Sequence, residues 1–422
     1  MTGAPEPLPR IARFEKLGFG MFIHWGLYSQ LGAGEWVMDQ RQIPAAEYNK
    51  LKENFTAADF DAQAIASTAK ASGMRYIVLT TRHHDGFSLY DTRGLSTFDA
   101  LHSPAGRDLV DEFVTACRQE DISPFFYHTT LDWQWDQAFR QHPDGGERFG
   151  AYLDYLNASV EILCRNYGPI GGLWFDGNWA YPKADWHEDQ LYGTIRRYQP
   201  EAMIINNTGL GALGALGHPE IDSTTFEQGI PTAPDRRGWK KYLAGEMCQT
   251  MNAHWGIGQH DFRYLSIAQI IENLCLSRRV GANYLLNVAP TANGAIPDYE
   301  TAALRRVGDW VRPNAEVIYK GEPVSGASSN GRDFILRKGD EYYYFAFDLG
   351  MEGSEHVTSG DGISGPRTYT SLEGKFSAAR WLDNDELVKV DNEIVSGALT
   401  FNPTFFPYGT HRVVRVAQLL PQ

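Results

Sequence analysis

Between about residue 18 and residue 312, short apolar runs alternate with helical stretches. This alternation narrows the choice of folds more than any other feature of the chain. A strand, a helix and a second strand in succession pair in parallel, because the helix carries the chain back to the starting edge. The apolar runs are Gly20–Trp25, Arg75–Thr81, Ser123–His128, Gly171–Asp176, Ala202–Asn207, Ile221–Glu227, Glu246–Asn252 and Asn283–Ala289. Helical patterns lie between them, one running from an N-cap at Thr56 to a stop at Gly73. Others cover Asp108–Gln119, Phe149–Asn166, His187–Tyr198, Ile267–Arg279 and Tyr299–Arg312. Roughly eight strands in about 300 residues predict an α/β fold, a (β/α)8-like TIM barrel. A doubly wound open sheet is the alternative, but no glycine-rich phosphate loop follows the first strand.

The pattern changes after Pro313. Arg332–Arg337, a Lys338-Gly339-Asp340 turn and Glu341–Phe347 read as a hairpin of period two. Short runs at Ala379–Leu382, Glu386–Val390 and Arg412–Val416 extend this to an antiparallel β-sandwich. The expected domains are a barrel over residues 1–318 and a sandwich over 319–422, since 422 residues exceed what one core supports. The Gly-rich stretch Gly209–Gly217 reads as a mobile loop.

Charge and cysteine usage exclude several classes of function. The net charge is −14 and no run of Lys or Arg interrupts it, so nucleic acid and anionic membrane are poor partners. No apolar run approaches the ~20 residues of a membrane span. Cys117, Cys164, Cys248 and Cys275 have no metal-ligand spacing and read as reduced thiols. The first residues, MTGAPEPLPRIARFEKLG, lack the apolar core of a signal peptide, so a cytoplasmic location is expected. Association into a homo-oligomer is left open.

The polar residues that stand out fall at one end of the predicted strands. His24 closes the first, His83 and His84 follow the second, and His128 ends the third. Asp176 ends the fourth, and Glu227 ends the sixth. In a barrel these positions share the C-terminal face, where active sites of this fold lie. The segment GGLWFDGNW, Gly171–Trp179, delivers Asp176 from a buried strand into an aromatic setting. An unpaired carboxylate there is costly, and a ring face suits the C–H face of a sugar. The plain alternative is an Asp that caps the next helix. Two carboxylates and several histidines allow either glycoside hydrolysis or metal-assisted hydrolysis. Adjacent residues on a strand point to opposite faces, which argues against His83 and His84 chelating one ion. Hydrolysis with no metal and no cofactor is therefore preferred.

Four segments resemble glycoside hydrolase family 29, the α-L-fucosidases. FGMFIHWGLYSQLGAGEWVM (Phe19–Met38) is similar to the first-strand signature, and RHHDGFSLYDT (Arg82–Thr92) to the His-His-Asp-Gly-Phe motif. GGLWFDGNW is similar to the nucleophile strand, and GANYLLNVAPTANGAIP (Gly281–Pro297) to the last barrel strand. The resemblance implies a retaining exo-enzyme acting on fucosylated glycans, with Asp176 as nucleophile. His24, His83 and His84 would bind fucose hydroxyls, helped by Glu35 and Trp36. Phe22 and Trp255 would be aromatic walls near the C6 methyl group. Tyr127 and Trp174 match aromatics beside the nucleophile. The acid/base varies in position within the family; Glu227 is the first choice, Glu246 the second and Glu220 the third. The plain alternatives are that Phe22 is core, His84 bonds a loop and Glu35 is an ordinary loop acid. Many members carry an Arg after the fifth strand, where this chain reads Ile204-Ile205-Asn206-Asn207-Thr208. That departure keeps a hydrolase for a related sugar, such as an α-L-galactoside, and a non-catalytic fucose-binding protein as alternatives.

Overall fold

Eight of the apolar runs form one closed parallel barrel in the computed structural model. The structure describes residues 5–135, 147–207, 217–233, 236, 239–353, 356, 362–372, 374–393 and 398–422. The strands are β1 (Phe19–Ile23), β2 (Tyr76–Arg82), β3 (Ser123–Thr129), β4 (Gly172–Asp176), β5 (Met203–Asn206), β6 (Ser223–Glu227), β7 (Ala244–Gln249) and β8 (Asn283–Val288). They pair in chain order, and β8 closes on β1 with Phe19 opposite Tyr284 and Ile23 opposite Val288. Closure removes both sheet edges and excludes the doubly wound alternative.

The strands are buried over most of their length on both faces, so alternation of side chains sorts inside from outside. Tyr76 and Val78, Phe125 and Tyr127, and Met203 and Ile205 point inward and form one apolar cluster with Phe22, Trp174 and Leu285. Ile11 and Phe14, from a short helix at Pro9–Glu15, join that cluster from the chain's start. Large rings need small partners. A Cβ on Gly20 would sit 2.4 Å from the Tyr76 ring, and one on Gly172 2.7 Å from that of Phe125.

Just before β6, Asp222 is fully buried and collects three cations. Arg10 meets it with two nitrogens at 3.0 Å, Arg196 at 2.8 Å and Lys241 at 2.8 Å. The Ile204 amide adds a fourth donor at 3.0 Å. These donors outweigh burial and hold the carboxyl below the usual aspartate range. Its stabilisation is complete above that range and is lost as pH falls through the depressed value. Asp222→Ala leaves the cations uncompensated, and we expect it to cost about 3–5 kcal/mol in urea unfolding. A loss below 1 kcal/mol would show that the cluster is not a structural tie.

The helices are largely as expected, with two corrections. The first predicted helix starts at Ala62, capped by Asp61, whose carboxylate accepts from the Ala64 amide at 2.9 Å; Thr56 is not its cap. The last runs from Asp298 to Lys320 and passes through Pro313, where the pattern had suggested a break. Proline deprives that helix of only one backbone donor, and its neighbours carry it on. The Gly-rich stretch read as a mobile loop lies, apart from Gly217, outside the described residues.

The C-terminal residues form two antiparallel sheets. One has the order β14-β13-β17-β11-β10-β9 and the other β12-β16-β15. Their ranges are β9 (Glu322–Pro323), β10 (Phe334–Lys338), β11 (Glu341–Ala346), β12 (Arg367–Tyr369), β13 (Phe376–Trp381), β14 (Leu387–Val388), β15 (Val390–Glu393), β16 (Ala398–Phe401) and β17 (Arg415–Pro421). Both sheets feed one core, where Tyr344 stacks on Phe401 at 4.2 Å and Trp381 meets Phe401 edge-on. By compactness the chain divides into residues 1–265 with 283–305, and 266–282 with 306–422. The helix between β7 and β8 thus groups with the second unit, which a boundary at 318/319 did not anticipate.

Candidate active site

The C-terminal ends of the barrel strands enclose a pocket of about 200 Å³. Phe22, His24, Trp36, His83, Tyr127, Trp174, Asp176, Trp179, Asn207, Glu227 and Trp255 line it. Seven of the nine expected substrate-binding residues are in this group, as are both expected catalytic carboxylates.

Asp176 ends β4. Gly177 follows with φ +118°, a conformation open to glycine, and a Cβ there would sit 2.6 Å from Leu131. This turn brings Trp179 back onto Asp176, where the indole N–H donates to Oδ1 at 2.7 Å. Tyr127 donates its hydroxyl to Oδ2 at 3.1 Å, and His84 Nε2 lies 3.5 Å from the same oxygen. Burial alone would raise this carboxyl, but the His84 hydrogen bond and charge, with Trp179 and Tyr127, hold it below the aspartate range. His84 therefore faces the carboxylate and is not among the pocket-lining residues. Its Nδ1 rests on the Thr129 hydroxyl at 2.6 Å.

Glu227 ends β6 and accepts from Asn207 Nδ2 at 2.8 Å. Burial raises its pKa, and the negative charge of Asp176 adds to the rise, while the Asn207 bond partly opposes it. The same Asn207 nitrogen lies 3.3 Å from Asp176 Oδ1. The two carboxylate oxygens it reaches are therefore at most about 6 Å apart.

His24 and His83 are neutral by burial. His24 Nδ1 meets Asn287 Oδ1 at 2.7 Å, and the Asn287 amide donates to the Trp255 carbonyl at 2.7 Å. That chain assigns the proton to His24 Nδ1 and leaves Nε2 as an acceptor. Burial pushes the His24 pKa down to about 3 and that of His83 well below the ordinary range. His83 stacks on Tyr127 with rings 5.5 Å apart. His83 and His84 follow the last paired residues of β2, so alternation does not separate them and their rings lie 4.3 Å apart. Phe22 contacts His24, Trp174 and Trp255, and thus serves both as core and as pocket floor. Trp36, Trp133 and Trp179 form an aromatic cluster on another side.

Besides His84, four further residues lie outside the pocket lining. Glu35 does not line the pocket; it is buried and accepts from the Trp255 and Gly256 amides at 3.0 and 2.7 Å, which holds the Trp255 loop. His128 points away from the barrel axis, bonded to Thr81 and Ser159, because it alternates with the inward Tyr127. Glu246 faces the barrel interior, where Tyr76 donates at 2.6 Å and Trp174 at 2.8 Å. Burial pushes it up to about 7, but it has no pocket surface. Glu220 is paired with Arg196 at 2.7 Å, lowered by that bond, and is also absent from the pocket. Neither alternative acid/base is placed to reach a substrate. Asn207 and Trp179 were not singled out as site residues, although the segments containing both were.

A closed parallel barrel whose mouth presents two carboxylates, with oxygens at most about 6 Å apart, among aromatic walls has the make-up of a glycoside hydrolase. A family model described as alpha-L-fucosidase matches residues 6–316, and the chain belongs to that family. Tissue alpha-L-fucosidase of Bos taurus is 28% identical over 361 residues, covering 80% of this chain and 74% of the relative. An alpha-L-fucosidase of Branchiostoma floridae is 24% identical over 399 residues, covering 89% and 87%. Among solved structures, alpha-L-fucosidase isoenzyme 1 from Paenibacillus thiaminolyticus superposes with a TM-score of 0.81 at 32% identity, over 98% of this chain and 99% of that one.

Proposed function

We propose that this chain is a retaining exo-α-L-fucosidase acting by two displacements. An Asp176 oxygen attacks the anomeric carbon while Glu227 gives its proton to the departing glycosidic oxygen. Water then attacks the same carbon, Glu227 takes the water's proton, and the bond to Asp176 breaks. The observation that carries this reading is the single amide nitrogen within reach of both carboxylates. An oxygen–oxygen distance of at most about 6 Å supports the retaining geometry, in which the carboxyl groups are typically ~5–5.5 Å apart. Opposite shifts divide the roles: Asp176 is held ionised, and Glu227 is kept protonated to higher pH. The neutral rings of His24 and His83 are suited to bonding sugar hydroxyls. The apolar pair Phe22 and Trp255 favours a 6-methyl group over a hydroxymethyl group. The test is the anomer released first from an aryl α-L-fucoside, read by proton NMR before mutarotation. α-L-Fucose is expected; the β anomer as first product would overturn the mechanism.

A further inference from the structure

Asn207 stands directly after β5, and its backbone amide donates to the Phe175 carbonyl at 2.8 Å. This fixes its Cα between the strand ends that carry Asp176 and Glu227. The side chain then uses both of its ends. Nδ2 reaches Asp176 Oδ1 and Glu227 Oε2, while Oδ1 accepts the Thr225 hydroxyl at 2.9 Å. The opposite amide orientation would set a carbonyl oxygen against two carboxylate oxygens, so the carboxylates decide which end faces them. Thr225 lies on β6, two residues before Glu227, and its hydroxyl anchors the far end of the amide.

We propose that Asn207 is a positioning residue that ties Asp176 to Glu227 at working separation, with Thr225 anchoring the far end of its amide. The inference rests on the reading of those two carboxylates as nucleophile and acid/base. The neutrality of the bridge is the point. Two carboxylates this close repel, and a cation between them would relieve the repulsion by ionising both. An amide donates to each without adding charge, so the pair can keep one proton. The surrounding groups fit this arrangement. Asp176 is faced by His84, Tyr127 and His24, and Glu227 by Asp176, Glu35, Cys248 and the Trp255 indole. No Lys or Arg pairs with either carboxylate among the described residues.

Because the amide favours the ionised form of both carboxyls, its removal raises both pKa values. In Asn207→Ala, kcat/KM on phenyl α-L-fucoside should fall roughly 10- to 100-fold, the worth of hydrogen bonds to charged groups. Both limbs of its pH profile should move to higher pH. Thr225→Val, which keeps the shape but loses the anchoring hydroxyl, should move them the same way by less. A second readout needs no turnover. The side-chain carboxyl of Glu227, followed by carbon-13 NMR and assigned with Glu227→Gln, should titrate at higher pH in Asn207→Ala. A fall in rate with an unmoved profile, or an unmoved Glu227 titration, would overturn the inference. Retained activity in Asp176→Ala would instead overturn the assignment of the pair, and the NMR titration would still decide the role of Asn207.

Discussion

Asp176→Gly should lower kcat on an aryl α-L-fucoside by roughly four to six orders of magnitude, the scale seen when a covalent nucleophile is removed. The glycine leaves a hole at the end of β4 on the face where the carboxylate stood. Azide can enter that hole and attack the anomeric carbon, so added azide should restore turnover and yield β-L-fucosyl azide. The product carries the argument, since only a nucleophile acting from the Asp176 side gives the inverted anomer. Misfolding is a poor rival explanation. The change frees the donors of Trp179, Tyr127, His84 and Asn207 into an open pocket, where water can satisfy them. Activity retained without azide would remove Asp176 from the mechanism.

Glu227→Ala should separate substrates by their leaving groups. A positioned general acid is worth roughly 10²–10⁴-fold, and the upper part of that range should be lost with a disaccharide, whose leaving alkoxide needs a proton. A fucosyl fluoride or dinitrophenyl fucoside departs without one, so its first displacement should be little affected. Hydrolysis of the fucosyl-enzyme then becomes slow, because water has lost its base. Azide needs no base and should restore turnover, this time giving the α azide by retention. The alkaline limb of the pH profile should vanish, since it reports loss of the Glu227 proton. Its position in the unmodified enzyme should lie above the ordinary glutamate range, in keeping with burial beside Asp176. If Glu246→Ala or Glu220→Ala gave the rescued α azide instead, the acid/base assignment would fall.

The barrel was legible because each strand is an apolar run bounded by turns, and burial on both faces demands such runs. The placement of polar residues at strand ends was legible for the same reason, as nothing else in those runs can bond a substrate. What could not be read is direction. Glu246 and Glu227 both stand on strands next to apolar residues, yet one faces the sealed interior and the other the mouth. The difference is made by Tyr76 and Trp174, 170 and 72 residues away from Glu246. Glu35 misled similarly, because its partners lie on a loop 220 residues further on. Asn207 was visible only as a place where an Arg was missing, since its bridging role depends on three strand ends meeting. Strands β12 and β16, of three and four residues, were too short to carry a period.

The seam of the barrel runs through the pocket. His24 follows β1 and takes its orientation from Asn287 on β8, 263 residues later, and Asn287 in turn holds Trp255. Until the first and last strands of the ring have met, His24 has no fixed tautomer and one wall has no anchor. Such a distant pairing closes a long loop, at a cost in chain entropy. The pocket therefore depends on closure of the ring, because a chain in which β1 and β8 have not paired lacks the bond that orients His24.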